Sequence, residues 1–86
     1  MGLIDDNVIP GNHGKIFGTN ANESSDLAII KKRLLELDGI SNIVLNESIF
    51  PKEFTVLTDK LVTIEAIEEQ VKSTGFHAIP KSSLEL

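Results

Sequence analysis

Oxygen-bearing side chains are concentrated in one short stretch of the sequence, from Asn20 to Asp26. Glu23 and Asp26 are carboxylates three residues apart, and Asn20, Asn22 or Ser24 can add further oxygen ligands. Carboxylate and amide oxygens, with water, are the ligands that Mg²⁺, Ca²⁺ and Mn²⁺ prefer. The stretch therefore predicts a weak site for a hard divalent cation at Asn22, Glu23 and Asp26. We expect a Kd on the order of 0.1 to 1 mM, because two carboxylates without a rigid cage hold an ion poorly.

A second interpretation of the same carboxylates needs no metal. Acidic side chains near the start of a helix interact favourably with its partial positive charge, by about 0.3 to 1 kcal/mol each. Glu23 and Asp26 lie where an apolar helical pattern begins, so both fit this structural role. The sequence leaves both interpretations open.

Other catalytic and metal-binding patterns are missing from the sequence. The chain contains no cysteine, and its two histidines, His13 and His77, are fewer than the ligands of a zinc site. No glycine-rich phosphate loop is present, and no Ser, His and acid follow a catalytic spacing. We expect that the protein is not an enzyme and that it holds no cofactor tightly.

Length and charge limit the remaining functions. With 86 residues, of which 41% are hydrophobic, the chain has room for one domain with one modest core. Its net charge of -5 argues against nucleic-acid binding, which needs a basic surface. The N-terminus lacks the basic region of a signal peptide, and no segment approaches the roughly 20 apolar residues of a membrane span. We expect a cytoplasmic protein without membrane insertion.

An amphipathic helix follows the oxygen-rich stretch. Its start is predicted within Asn22 to Ser25, and Gly39 marks its stop, because glycine readily adopts the left-handed conformation found after helices. The apolar positions recur at spacings of three and four: Leu27, Ile30, Leu34 and Leu37. Ile29 and Leu35 lie off this stripe, which is a hint of a surface that contacts a partner.

The rest of the pattern predicts a complete small fold. A second helix begins at the candidate cap Thr63 and ends before Gly75. Four strands are predicted: Lys15 to Thr19, a strand from Ile40 past Leu45, a strand around Phe54 to Leu57, and Phe76 to Ile79, which Pro80 stops. A hairpin turn at Phe50-Pro51-Lys52 separates the second strand from the third. This βαββαβ order is typical of an α+β, ferredoxin-like sandwich, in which a four-stranded antiparallel sheet carries two helices on one face.

The same pattern predicts how the chain divides. Residues 1–13 show no sustained period and read as a flexible N-terminal arm, residues 14–80 form the domain, and residues 81–86 form a C-terminal tail.

The sequence resembles the heavy-metal-associated domain of copper chaperones and of metal-transporting P-type ATPases. The resemblance covers Gly14 to Pro80 and rests on the helix spacing together with three short motifs. These motifs are Asp38-Gly39-Ile40, Ile43-Val44-Leu45-Asn46 and Gly75-Phe76. It implies a ferredoxin-like fold, a role in metal transport, and a protein partner such as a metal-transport ATPase.

The chain departs from this family at the metal site. The family's two metal-binding cysteines fall on Glu23 and Asp26, and its preceding Gly-Met-Thr segment falls on residues 20–22. Cu(I) prefers soft sulfur ligands, which these carboxylates do not supply. We therefore expect that Cu(I) binding is lost.

Two other functions stay open on the sequence. The first is a metal-independent protein-interaction or regulatory module, which would use a sheet edge or the apolar side chains Ile29 and Leu35. The second is a small-molecule sensor of the ACT type, which shares the strand and helix order and would bind its effector at a dimer interface.

Overall fold

A computed structural model describes residues 8–49 and 51–85 of the chain. The elements in chain order are β1 (Val8–Ile9), β2 (His13–Thr19), α1 (Ser24–Leu35), β3 (Ile40–Asn46), β4 (Glu53–Thr58), β5 (Val62–Thr63), α2 (Ile64–Lys72) and β6 (Ala78–Glu85). Residues 1–7 of the predicted arm, Phe50 of the predicted hairpin turn and Leu86 of the predicted tail lie outside the described residues.

The main sheet has four antiparallel strands in the order β3-β4-β2-β6. The apolar faces of α1 and α2 pack on it, and one continuous cluster of buried side chains fills the space between them. The predicted α+β, ferredoxin-like fold is confirmed. On β4 the core-facing side chains alternate with half-buried ones, which leaves the sheet face opposite the helices open.

Helix α1 forms because three of its apolar side chains share one face and are fully buried: Leu27, Ile30 and Leu34. The helix ends at Leu35, before the predicted stop, and the chain then turns through Gly39 at a φ of 100°. Leu37 lies beyond the helix end, yet its side chain still packs against the core.

Helix α2 begins as the sequence predicts. The Thr63 hydroxyl accepts a hydrogen bond from the Ala66 backbone N–H at 3.1 Å, which satisfies one of the free donors at the helix start. Ile64, Ile67 and Val71 form the buried face. Within the described part of the chain, neither helix is long and apolar enough to cross a membrane.

The N-terminal segment from Val8 packs against the domain, although residues 1–13 were predicted as a flexible arm. β1 pairs with β5, and the side chain of Ile9 is only 2% exposed. The Thr58 hydroxyl, itself buried, donates to the Pro10 carbonyl at 2.6 Å. A two-residue strand shows no periodicity, so the sequence pattern could not reveal it. The division into arm, domain and tail as separate units stays a prediction.

The last strand continues past Pro80, so the predicted stop there is wrong. β6 extends through Pro80 to Glu85, with an irregularity in its pairing opposite Ile16 and Phe17. β6 is an edge strand, and a residue without an N–H is tolerated at an edge or beside a bulge.

Both edges of the main sheet carry features that hinder pairing with a further strand. On β3 the Asn42 side chain accepts the Ile43 backbone N–H at 2.9 Å, so this donor is already used. On β6 Pro80 has no N–H to offer. Proline and occupied donors at sheet edges oppose strand addition.

Gly39 and Gly75 both have a positive φ, and they allow a matched comparison of backbone strain with and without a steric clash. An alanine Cβ at Gly39 (φ 100°) would lie 2.7 Å from Val62 Cγ2, whereas at Gly75 (φ 94°) it would meet nothing within 4 Å. We expect Gly75→Ala to lower the free energy of unfolding by about 1 to 2 kcal/mol, from backbone strain alone. Gly39→Ala should lower it by about 2 to 4 kcal/mol, because overpacking is added. Urea denaturation measures both, and equal losses would contradict the predicted clash.

Candidate functional site

The oxygen-rich stretch forms the loop between β2 and α1 and the first turn of α1, and part of the loop turns inward. The buried Thr19 hydroxyl accepts the Ala21 backbone N–H at 3.2 Å, and the Ala21 side chain is fully buried. A hydroxyl that accepts the N–H two residues later stabilises a tight turn. Asn20, Asn22 and Glu23, on either side of Ala21, are exposed.

A hydrogen bond from the other end of the chain fixes this loop. The Asn20 side-chain oxygen accepts the His77 backbone N–H at 2.9 Å. This bond attaches the loop to the segment that enters β6. The sequence suggested Asn20 only as an additional oxygen ligand, and no spacing could have revealed a partner 57 residues away. Its amide oxygen has a structural role.

The predicted ligands lie together at the start of α1. Glu23 is the N-cap residue, and its backbone carbonyl accepts the N–H groups of Asp26 and Leu27, each at 3.0 Å. The Glu23 side chain makes no capping hydrogen bond and is exposed, and Asp26 is half-buried in the first helical turn. This position agrees with the helix-end role of both carboxylates.

Glu47 is a third carboxylate near this loop, which sequence reasoning missed. It accepts a hydrogen bond from the Ser24 hydroxyl at 2.5 Å. Nevertheless, the residues that the structure describes include no group of three or more His, Cys, Asp and Glu side chains arranged to hold a metal ion. A cation at Asn22, Glu23 and Asp26 would therefore complete its coordination with amide oxygens and water.

The two histidines lie at opposite ends of the β2–β6 ladder. His13 is the first residue of β2, and its Nδ1 lies 3.1 Å from the Gly11 carbonyl oxygen. His77 precedes Ala78, which pairs with the last residue of β2, Thr19. The structure does not bring the imidazoles together.

The fold is similar to those of solved copper-binding domains. A yeast copper transporter domain, studied in apo and Cu(I)-loaded states, superposes with a TM-score of 0.70 and 22% identity over 81% of this chain and 96% of its own. The copper(I)-loaded first domain of the human copper chaperone for SOD1 superposes with a TM-score of 0.69 and 16% identity, over 81% of this chain and 93% of that chain.

A third structure agrees with these two. The apo heavy-metal-associated domain of a copper chaperone for superoxide dismutase gives a TM-score of 0.69 and 16% identity, over 100% of this chain and 84% of that chain. No family model and no curated protein matches the sequence. Because the sequence identities are only 16% to 22%, the similarity establishes the fold alone.

The Asn20 hydrogen bond gives a prediction about the loop. Asn20→Ala should lower the free energy of unfolding by about 1 kcal/mol, because it leaves the His77 N–H without its partner. It should also speed hydrogen exchange of the His77 amide. Asn22→Ala is the matched control, since Asn22 is an exposed asparagine of the same loop. Equal effects of the two variants, measured by urea denaturation and NMR-detected exchange, would show that the bond contributes nothing.

The cation hypothesis predicts a response confined to residues 20–27. Mn²⁺ or Ca²⁺ at millimolar concentration should perturb their amide signals, and Glu23→Gln with Asp26→Asn should remove the effect by removing both charges. Glu65→Gln with Glu68→Gln is the control, because these carboxylates are also three residues apart near a helix start. Perturbations that persist unchanged in the first double variant would rule out the carboxylate pair as the site.

Proposed function

Starting from the heavy-metal-associated fold, we propose that this protein is a non-enzymatic domain of the metal-transport and chaperone type that no longer binds Cu(I). One observation carries the proposal. The exposed start of α1, where the family's cysteines fall, presents the carboxylates Glu23 and Asp26, and the chain contains no cysteine at all. Cu(I) selects thiolate and thioether ligands over carboxylates.

The contacts of the loop support this proposal. Ala21 is buried, and Asn20 is bonded to the segment before β6. These residues occupy the positions that the resemblance assigns to the family's Gly-Met-Thr segment. The loop is therefore stabilised by contacts within the protein.

We propose that the domain acts by binding a protein partner, such as a metal-transport ATPase, in the cytoplasm. Its net charge of -5 disfavours nucleic acid. Strand addition is disfavoured because Asn42 and Pro80 obstruct the sheet edges. Ile29 and Leu35 are 48% and 42% exposed, but they are six residues apart and lie on either side of Lys32 on the helix surface. Contact through other exposed side chains is therefore favoured.

An anaerobic Cu(I) titration followed by amide NMR tests the loss of copper binding. The native protein should show no saturable response below millimolar metal, because it offers no thiolate. The matched variant, Glu23→Cys with Asp26→Cys, should gain a saturable response confined to residues 20–27. This gain would confirm that the two carboxylates stand at the metal positions of the fold.

Two results would contradict the proposal. A micromolar, saturable response of the native protein in residues 20–27 would show that copper binding persists. A cysteine variant that folds but ignores Cu(I) would show that the carboxylates do not stand where the family holds its metal.

A further inference from the structure

An apolar groove lies on the open sheet face, beside the loop that precedes α1. Its volume is about 560 Å³, with Pro51 and Ile79 among its apolar lining and Asn22 and Lys81 among its polar lining. Gly18 also lines the groove and is paired directly with Ile79. The groove thus joins the end of the open face to the loop of the candidate site.

Gly18 and the Lys81 side chain lie side by side in the lining of the groove. A Cβ at Gly18 would approach the Lys81 δ carbon to 3.4 Å. The Lys81 ammonium forms an ion pair at 2.5 Å with Glu53, whose side chain is only 16% exposed. Lys81 is thereby neutralised, so it does not make the groove an anion site.

The apolar lining is unusually accessible. Ile79 is 66% exposed, the highest value of any large apolar side chain among the described residues. A single exposed isoleucine is ordinary, but here it borders a concave apolar surface. Apolar pockets of this kind commonly receive a large side chain of a binding partner.

Charged residues beside the groove indicate which residue of the partner would lie next to its inserted apolar side chain. Glu23 follows Asn22 directly, and neither Glu23 nor Asp26 forms an ion pair within the described part of the chain. The Lys52 ammonium donates to the Glu47 backbone carbonyl at 2.8 Å and keeps its positive charge. It offsets one of three nearby carboxylates, because Glu47, which is bonded to Ser24, adds its own charge to those of the loop. The loop therefore carries net negative charge next to an apolar groove, which is complementary to an apolar side chain followed by a basic one.

We infer that this groove is the docking site for a protein partner, which inserts an apolar side chain between Pro51 and Ile79 and places a basic side chain near Glu23. The inference rests on the proposed function, in which the domain binds a protein without copper. The obstructed sheet edges favour recognition through side chains over strand addition.

Short peptides of defined chemistry test the inference on the native protein. The probe is N-acetyl-leucyl-arginine amide, and the comparison peptides replace arginine with glutamate or leucine with glycine. Amide NMR should show saturable shifts at Gly18, Asn22 and Ile79 with the first peptide. It should bind about threefold tighter than the glutamate peptide, the size expected for one exposed ion pair. The glycine peptide should show no saturable shift.

Three variants separate the groove from other surfaces. Ile79→Ser should abolish binding, whereas Leu61→Ser, at another exposed apolar residue, should leave it unchanged. Glu23→Gln should remove the preference for arginine over glutamate without removing binding. All three positions are exposed, so the fold should be retained in each variant.

Each contrary outcome overturns a stated part of the inference. Absence of saturable shifts, or unchanged binding in Ile79→Ser, would overturn the groove as a docking site. Equal affinity for the arginine and glutamate peptides would contradict the claim that the partner places a basic side chain near Glu23. The groove would then be a site for apolar ligands in general. The Cu(I) titration involves no peptide, so the two proposals can fail separately. If the protein binds neither Cu(I) nor the peptides, the groove is not a docking site, but the proposed loss of copper binding is retained.

Discussion

The stacked pair of Phe17 and Phe54 sets the register on which the rest of the structure depends. These residues are direct partners on β2 and β4, both fully buried, with ring centroids 5.5 Å apart and planes 9° from parallel. Side chains alternate across a strand, so this pairing places Gly18 and Glu53 on the opposite face. A slip of one residue would exchange the two faces, burying the ion pair and exposing the aromatic rings.

The parts of the fold that depend on local chemistry could be predicted from the sequence. The apolar stripe of α1, the cap at Thr63 and the left-handed Gly39 each follow from residues within a few positions of one another. The pairing of β1 with β5 could not be predicted, because two-residue strands have no period. The continuation of β6 through Pro80 depends on its place at the edge, which is a tertiary property.

The candidate site shows the same division. The sequence placed Glu23 and Asp26 at a helix start, and they lie there. It could not show that Asn20 holds the segment before β6, because the two partners come from opposite ends of the chain. The groove was equally hidden, since Gly18, Pro51 and Ile79 belong to three separate segments. Hydrogen bonds and concavities between distant segments carry no periodic signal.

The features at the edge strands β3 and β6 affect how copies of this domain associate. Amyloid growth and domain swapping begin when a free edge serves as a template for an identical strand. Here one edge has a donor bonded to its own asparagine and the other contains a proline. Two copies of the domain that meet edge to edge therefore have fewer backbone donors for a shared ladder.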